Sequence, residues 1–101
     1  MLIHKERLTG STSSGSLTLT TIKFSGIRLI NIDVIPTNTG GTKTIYDVLI
    51  EDSANDDLFQ ELGIESILHR TVRIATYGSL KVTISNASQD EAFVVVLKAE
   101  E

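Results

Sequence analysis

The segment Ser79–Ala99 has the clearest alternation of apolar and polar residues in the chain. From Leu80 to Ile84 every second residue is apolar, which is the period of a β-strand with one buried and one solvated face. After the polar residues Asn86–Asp90 the chain continues through Phe93–Leu97, which is apolar at every position. Such a run is typical of a strand buried on both faces, or of one whose outer face meets another chain. We therefore predict that the two strands form a β-hairpin.

The rest of the chain also favours short strands separated by turn residues. Further strands are predicted at Leu2–Leu8, Leu17–Phe24, Ile27–Ile35, Thr44–Ile50 and Arg70–Tyr77. In Leu17–Phe24 the apolar face changes midway, which predicts a bulge near Thr20–Thr21 or a strand that crosses between two sheets. In Ile27–Ile35 the even-numbered apolar residues share one face, and Leu29 lies on the other.

The segment Leu58–Leu68 allows two interpretations. Asp56 or Asp57 can cap one helical turn that Gly63 closes. Alternatively, Leu58–Glu61 forms a strand that pairs back on the preceding one. We favour this hairpin, because the order of residues reads as strand, polar turn and strand.

Seven to eight short strands, with at most one short helical turn, define the fold class. This pattern predicts an all-β protein, an antiparallel β-sandwich of jelly-roll or immunoglobulin-like type. We expect one domain over residues 1–101, with residues 1–8 as an edge strand or an arm. The composition agrees, because the 101 residues include twelve Ile, seven Val and twelve Thr, which are β-branched and favour strands.

Composition and charge exclude several classes of function. There is no cysteine, which excludes disulfides, thiolate nucleophiles and cysteine-based zinc sites. A net charge of −4 argues against a broad phosphate-binding surface, so no nucleic-acid partner is expected. No apolar run approaches the roughly 20 residues that span a bilayer, so no membrane association is expected either.

Few residues are candidates for chemistry. The acidic turn Glu51–Asp57 offers the oxygen ligands that calcium prefers, but its spacing does not match an EF-hand loop and a plain turn is favoured. His4 and His69 are the only imidazoles, and no motif of a nucleophile and a base surrounds either of them. Tyr46 and Tyr77 are expected to be half exposed. We therefore predict no catalytic residue, no cofactor and no metal site, and a protein that is not an enzyme.

The surplus of apolar faces is the most informative feature. A sandwich strand needs one apolar face, yet Ile27–Ile35 and Ala92–Leu97 are apolar on both. Because large apolar patches on a surface mark interaction sites, we expect a protein that assembles, as a homo-oligomer or on a larger shell. Leu2–Leu8 and Phe93–Leu97 are the segments expected to contact neighbours.

Two stretches carry a resemblance to a known class of proteins. They are Tyr46–Asp52 with the acidic turn after it, and Gly78–Asn86 leading to Phe93–Leu97. In these stretches the sequence resembles the small β-sandwich structural proteins of tailed-phage virions, such as capsid decoration (cement) proteins, neck components and fibre-associated domains. The resemblance implies a non-enzymatic virion component, assembled in the host cytoplasm, that binds capsid or tail proteins.

A ligand-binding β-sandwich is the alternative. Its ligand would be a carbohydrate or calcium, bound at the acidic turn Glu51–Asp57 or by Tyr46 and Tyr77.

Overall fold

The computed structural model describes residues 2–21, 28–37 and 43–101. These residues form eight β-strands and no helix. The strands are β1 (Ile3–Ser11), β2 (Leu17–Thr20), β3 (Arg28–Pro36), β4 (Ile45–Glu51), β5 (Asp57–Glu65), β6 (Leu68–Ala75), β7 (Lys81–Ser85) and β8 (Ala92–Glu100). The all-β prediction is confirmed, and the Leu58–Leu68 segment contains a strand that pairs with β4.

The strands form two four-stranded antiparallel sheets. The first sheet has the order β1-β8-β3-β6 and the second has the order β2-β7-β4-β5. The pairs β1 with β8, β2 with β7, β3 with β6 and β4 with β5 are all antiparallel. The first strand thus pairs with the last, the second with the last but one, and so on inward. A long hairpin that folds over into two sheets has this pairing, and the arrangement is called a jelly roll. Of the two sandwich types that the sequence leaves open, the chain adopts the jelly roll.

The predicted hairpin of β7 and β8 is wrong, because the two strands lie in different sheets. β7 pairs with β2 and β4, whereas β8 pairs with β1 and β3. The link between them crosses the end of the sandwich, where the Asp90 carboxylate accepts hydrogen bonds from the N–H groups of Ser14, at 3.2 Å, and Gly15, at 2.8 Å. A period of two tells which side of a strand is buried, but it does not tell which strands lie beside it.

The core fills the space between the two sheets. Alternate residues of the central strands are fully buried; they include Leu29, Ile32, Val34, Tyr46, Val48, Ile50, Val82, Ile84, Phe93, Val95 and Leu97. The rings of Tyr46 on β4 and Phe93 on β8 meet edge to face, with centroids 5.1 Å apart and an interplanar angle of 72°. This aromatic pair therefore joins the two sheets across the core.

A β-bulge corrects the predicted faces of β3. The register of β3 against both neighbours shifts between Leu29 and Asn31. The extra residue reverses the alternation, so Leu29 is buried with Ile32 and Val34 instead of lying on the opposite face. On β2, Leu17 and Leu19 pack against the core as a pair, while the predicted change of face toward Phe24 falls on residues 22–27, outside the described residues.

Gly78 lies at a position where a side chain does not fit. Its φ is +69°, and an added Cβ would overlap the Ser53 hydroxyl, which donates a 2.7 Å hydrogen bond to the Tyr77 carbonyl. We expect Gly78→Ala to lower the free energy of unfolding by about 1–3 kcal/mol, because it adds a steric conflict to the backbone strain. Urea unfolding measures the change.

Gly63→Ala is the matched control for this substitution. Gly63 has a φ of +63°, and an added Cβ would meet no atom within 4 Å. We expect this variant to show the backbone strain alone, about 1 kcal/mol. A loss in Gly63→Ala equal to that in Gly78→Ala would contradict the role of the contact with Ser53.

Candidate assembly surfaces

The acidic turn is built around the side chain of Asp52. Asp52 is buried, and its Oδ1 accepts hydrogen bonds from the N–H groups of Ala54, at 3.0 Å, and Asp56, at 3.1 Å. Asn55 has a φ of 63°, the left-handed conformation that asparagine tolerates in turns. The Asp52 carboxylate therefore stabilises the turn by accepting hydrogen bonds from the backbone N–H groups of the turn itself. Within the residues that the structure describes, no group of three or more His, Asp or Glu side chains could hold a metal ion.

The two histidines lie at opposite edges of the first sheet. His4 on β1 contacts Glu101, with Nε2 and Oε1 3.2 Å apart. His69 on β6 contacts Asp33 of β3 through its Nδ1. Two strands separate β1 from β6, a distance of about 14 Å between the outer strands. The two imidazoles are therefore not members of one site.

Tyr46 and Tyr77 do not form a platform for a ligand. Tyr77 is 71% exposed, whereas Tyr46 is fully buried, and its hydroxyl donates a 2.6 Å hydrogen bond to the Ser66 carbonyl. The expectation that Tyr46 is half exposed is wrong. The alternation that places Val48 and Ile50 in the core places Tyr46 there as well.

The outer face of the first sheet is rich in cations. The register places on this face the residues that alternate with the core on β1, β8, β3 and β6. Among the described residues, the charged side chains on this face are five cations and two carboxylates, a net charge of +3: Lys5, Arg7, Arg28, Arg73 and Lys98 against Asp33 and Glu100. We call this surface the basic face.

Most of this positive charge is not neutralised on the face. Arg28 contacts Glu100 at 3.3 Å, and Asp33 contacts His69. Among the described residues, no ion pair involves Lys5, Arg7, Arg73 or Lys98. These four cations are available to an anionic partner surface.

One end of the basic face is apolar. Val94 lies opposite Thr9 on one side and Ile35 on the other, and both Val94 and Ile35 are only half-buried. Ile67, just before β6 on the same parity, is 62% exposed. We call these three residues, Ile35, Val94 and Ile67, the apolar strip. Ile35 and Val94 belong to the two segments whose strands carry a surplus of apolar residues in the sequence.

The outer face of the second sheet carries the opposite charge. Within the part of the chain that the structure describes, its charged residues are four carboxylates and one cation, a net charge of −3: Asp47, Glu51, Asp57 and Glu65 against Lys81. We call it the acidic face. Apolar side chains also lie on this face. Leu62 is 65% exposed and Ile45 is 44% exposed, and Leu49 is half-buried.

Asp47 is held in its ionised form on the acidic face. Asn86 donates a 2.8 Å hydrogen bond to Oδ2, and the N–H of Gly63 donates a 2.9 Å hydrogen bond to Oδ1. The Asn86 hydrogen bond, together with that from Gly63, lowers the pKa of the Asp47 carboxyl from its usual value. Its negative charge therefore persists throughout the neutral and mildly acidic range.

β1 lies at the edge of the first sheet, and Leu2 and Ile3 are more than half exposed. Two buried carboxylates were not predicted from the sequence. Glu6 of β1 is buried on the core side. Both oxygens of Glu91 are buried, without a hydrogen-bond partner among the described residues. The separation of charge between the two faces was also missed, because outward charges can be added up only when the strands of each sheet are known.

The described residues contain no helix long and apolar enough to cross a membrane.

Comparisons with known proteins concern the fold. No family model matches the chain, and no curated protein matches it. Among solved structures, the chain is similar to the Yersinia pseudotuberculosis-derived mitogen, with 14% identity, a TM-score of 0.53, and coverage of 99% of this chain and 89% of the mitogen. It is weakly similar to the VP2 subviral particle of infectious bursal disease virus (10% identity, TM-score 0.40) and to the Gx strain of that virus (9% identity, TM-score 0.36).

In both viral comparisons 98% of this chain is covered, and it spans about a third of the viral chains, 33% and 32%. At these identities the likeness is one of fold and does not extend to what those proteins do.

Proposed function

We propose that the protein is a non-enzymatic structural component of a virion, which decorates or cements a capsid or joins head and tail components. The observation that carries the proposal is the apolar strip on the basic face. Ile35, Val94 and Ile67 lie together at one end of an outer sheet face; Ile67 is 62% exposed, and Ile35 and Val94 are half-buried. Apolar side chains grouped on an outer face are typical of a surface that binds another protein.

The edge strand β1 supports the same role. It offers nine residues of strand at the margin of the first sheet, beside the face that carries the apolar strip. An unpaired strand edge can accept a strand from a neighbouring protein. The assignment to a tailed-phage virion comes from the sequence resemblance, and binding to capsid or tail proteins follows from that assignment.

Incorporation into particles tests the proposal. We expect mass spectrometry of purified virions to find the chain in fixed stoichiometry to the capsid protein. Ile67→Lys places a charge in the apolar strip, and we expect it to lower incorporation at least about tenfold, because burying an unpaired charge in an interface costs several kcal/mol.

Tyr77→Lys is the matched control, because Tyr77 is also exposed, at 71%, and lies in the loop before β7, off both sheet faces. We expect this variant to be incorporated like the wild type. Absence of the wild-type chain from purified virions would overturn the proposal. A melting temperature that rises with calcium and falls back with EDTA would favour the ligand-binding alternative instead.

A further inference from the structure

The two outer faces of the sandwich complement each other in charge. Counted over the described residues, the basic face has a net charge of +3 and the acidic face has a net charge of −3. They lie on opposite sides of the molecule, because each is the outer surface of one of two sheets that pack through the shared core. A chain with a net charge of −4 thus presents a positive surface on one side.

Apolar residues complement each other on the same two faces. The basic face offers the apolar strip, and the acidic face offers Ile45, Leu49 and Leu62. Each face therefore has the two ingredients of a protein interface, apolar side chains and charged groups around them.

We propose that copies of this chain stack head to tail, with the basic face of one copy on the acidic face of the next. This inference rests on the proposed assembly role and names a second copy as the partner. A contact between two different faces is heterologous, so a pair of bound copies still has one basic and one acidic face free. Such a contact continues into a ring or an open stack and does not stop at a dimer.

The charges that would meet are available within the described residues. Lys5 and Lys98 on the basic face, and Asp57 and Glu65 on the acidic face, take part in no ion pair there.

Sedimentation velocity with charge-reversal variants tests the proposal. We expect the wild type to form species larger than a dimer at tens of micromolar, and these species to dissociate when salt rises from about 50 mM to about 500 mM. The basic-face variant Lys5→Glu/Lys98→Glu and the acidic-face variant Asp57→Lys/Glu65→Lys are each expected to raise the dissociation constant at least about tenfold, because like charges then meet.

Mixing the two variants separates head-to-tail stacking from other contacts. The basic-face variant keeps its acidic face, and the acidic-face variant keeps its basic face. These two unchanged faces can bind each other, so the mixture is expected to associate again. Lys43→Glu and Asp56→Lys change charges on exposed loop residues, outside both faces, and are expected to change the dissociation constant less than about twofold.

If the acidic-face variant associates like the wild type, the acidic face does not take part in the contact, and the proposal is wrong. A contact between two basic faces would give this result, because the basic face is unchanged in that variant. A wild type that is monomeric at low salt would also overturn it. Incorporation into virions is measured independently, so a monomeric protein that still enters virions would refute stacking while leaving the proposed function intact.

Discussion

Phe93→Ala is expected to lower the free energy of unfolding by about 3–5 kcal/mol. Phe93 is fully buried on the central strand β8, and its ring meets the Tyr46 ring edge to face at 5.1 Å. Truncation removes the apolar surface of the ring from the core and leaves a cavity between the two sheets, which the surrounding strands can fill only in part. Urea unfolding of the purified protein measures the loss.

Val94→Ala is the control on the adjacent residue. Val94 points to the outer face and is half-buried, so its truncation is expected to change the free energy of unfolding by less than about 1 kcal/mol. The same substitution removes part of the apolar strip and is expected to weaken assembly. Equal losses of stability in Phe93→Ala and Val94→Ala would contradict the assignment of inner and outer residues on β8.

The strands and their buried sides could be predicted because local chemistry determines them. Alternation marks Val82 and Ile84 as core residues, and both are buried in the structure. The order strand, polar turn and strand correctly indicates the pairing of β4 with β5, because the connection is short and its turn residues satisfy their own backbone.

The neighbours of each strand could not be predicted in the same way. β7 and β8 follow each other along the chain and each alternates, yet they pack on opposite sides of the core. A hairpin and a crossing between sheets bury the same alternate side chains, so the pattern of apolar residues does not distinguish them. The difference depends on long-range pairs such as β1 with β8, which join residues at the two ends of the described chain.

The candidate assembly surfaces could be located from the sequence only in part, for the same reason. The surplus of apolar residues on Ile27–Ile35 and Ala92–Leu97 is visible in the sequence, and Ile35 and Val94 are adjacent in the structure. The bulge at Leu29–Asn31 changes which residues of β3 face outward. The opposite charges of the two faces arise only when strands distant in sequence come together, and the overall net charge of −4 conceals the positive face.

Tyr46→Ala is the second substitution with a large expected effect. Tyr46 is fully buried on β4, and its hydroxyl donates to the Ser66 carbonyl at 2.6 Å and approaches the Val34 carbonyl at 3.4 Å. We expect Tyr46→Ala to lower the free energy of unfolding by about 3–5 kcal/mol. Tyr46→Phe keeps the ring and loses only the hydroxyl, so about 1–2 kcal/mol is expected from the same urea unfolding measurement.

The pH dependence of these variants isolates the hydroxyl. Burial of the phenol, with the nearby negative charges of Glu61 and Glu91, raises the pKa of Tyr46 well above its usual value of 10.0. The stabilisation from keeping the phenol neutral is fully present below pH 10, where the unfolded chain also holds its proton. It is lost as the pH rises through the folded pKa, because the unfolded chain ionises first.

The stability advantage of the wild type over Tyr46→Phe is therefore expected to shrink above about pH 10. Tyr77→Phe is the control for removal of a phenol group, because Tyr77 is exposed. If the gap between the wild type and Tyr46→Phe stays constant from neutral to strongly alkaline pH, the phenol of Tyr46 titrates alike in the folded and unfolded chains. That result would contradict the burial of the Tyr46 side chain between the sheets. It would also contradict the inward and outward alternation along β4, which places charged residues such as Asp47 on the outer face.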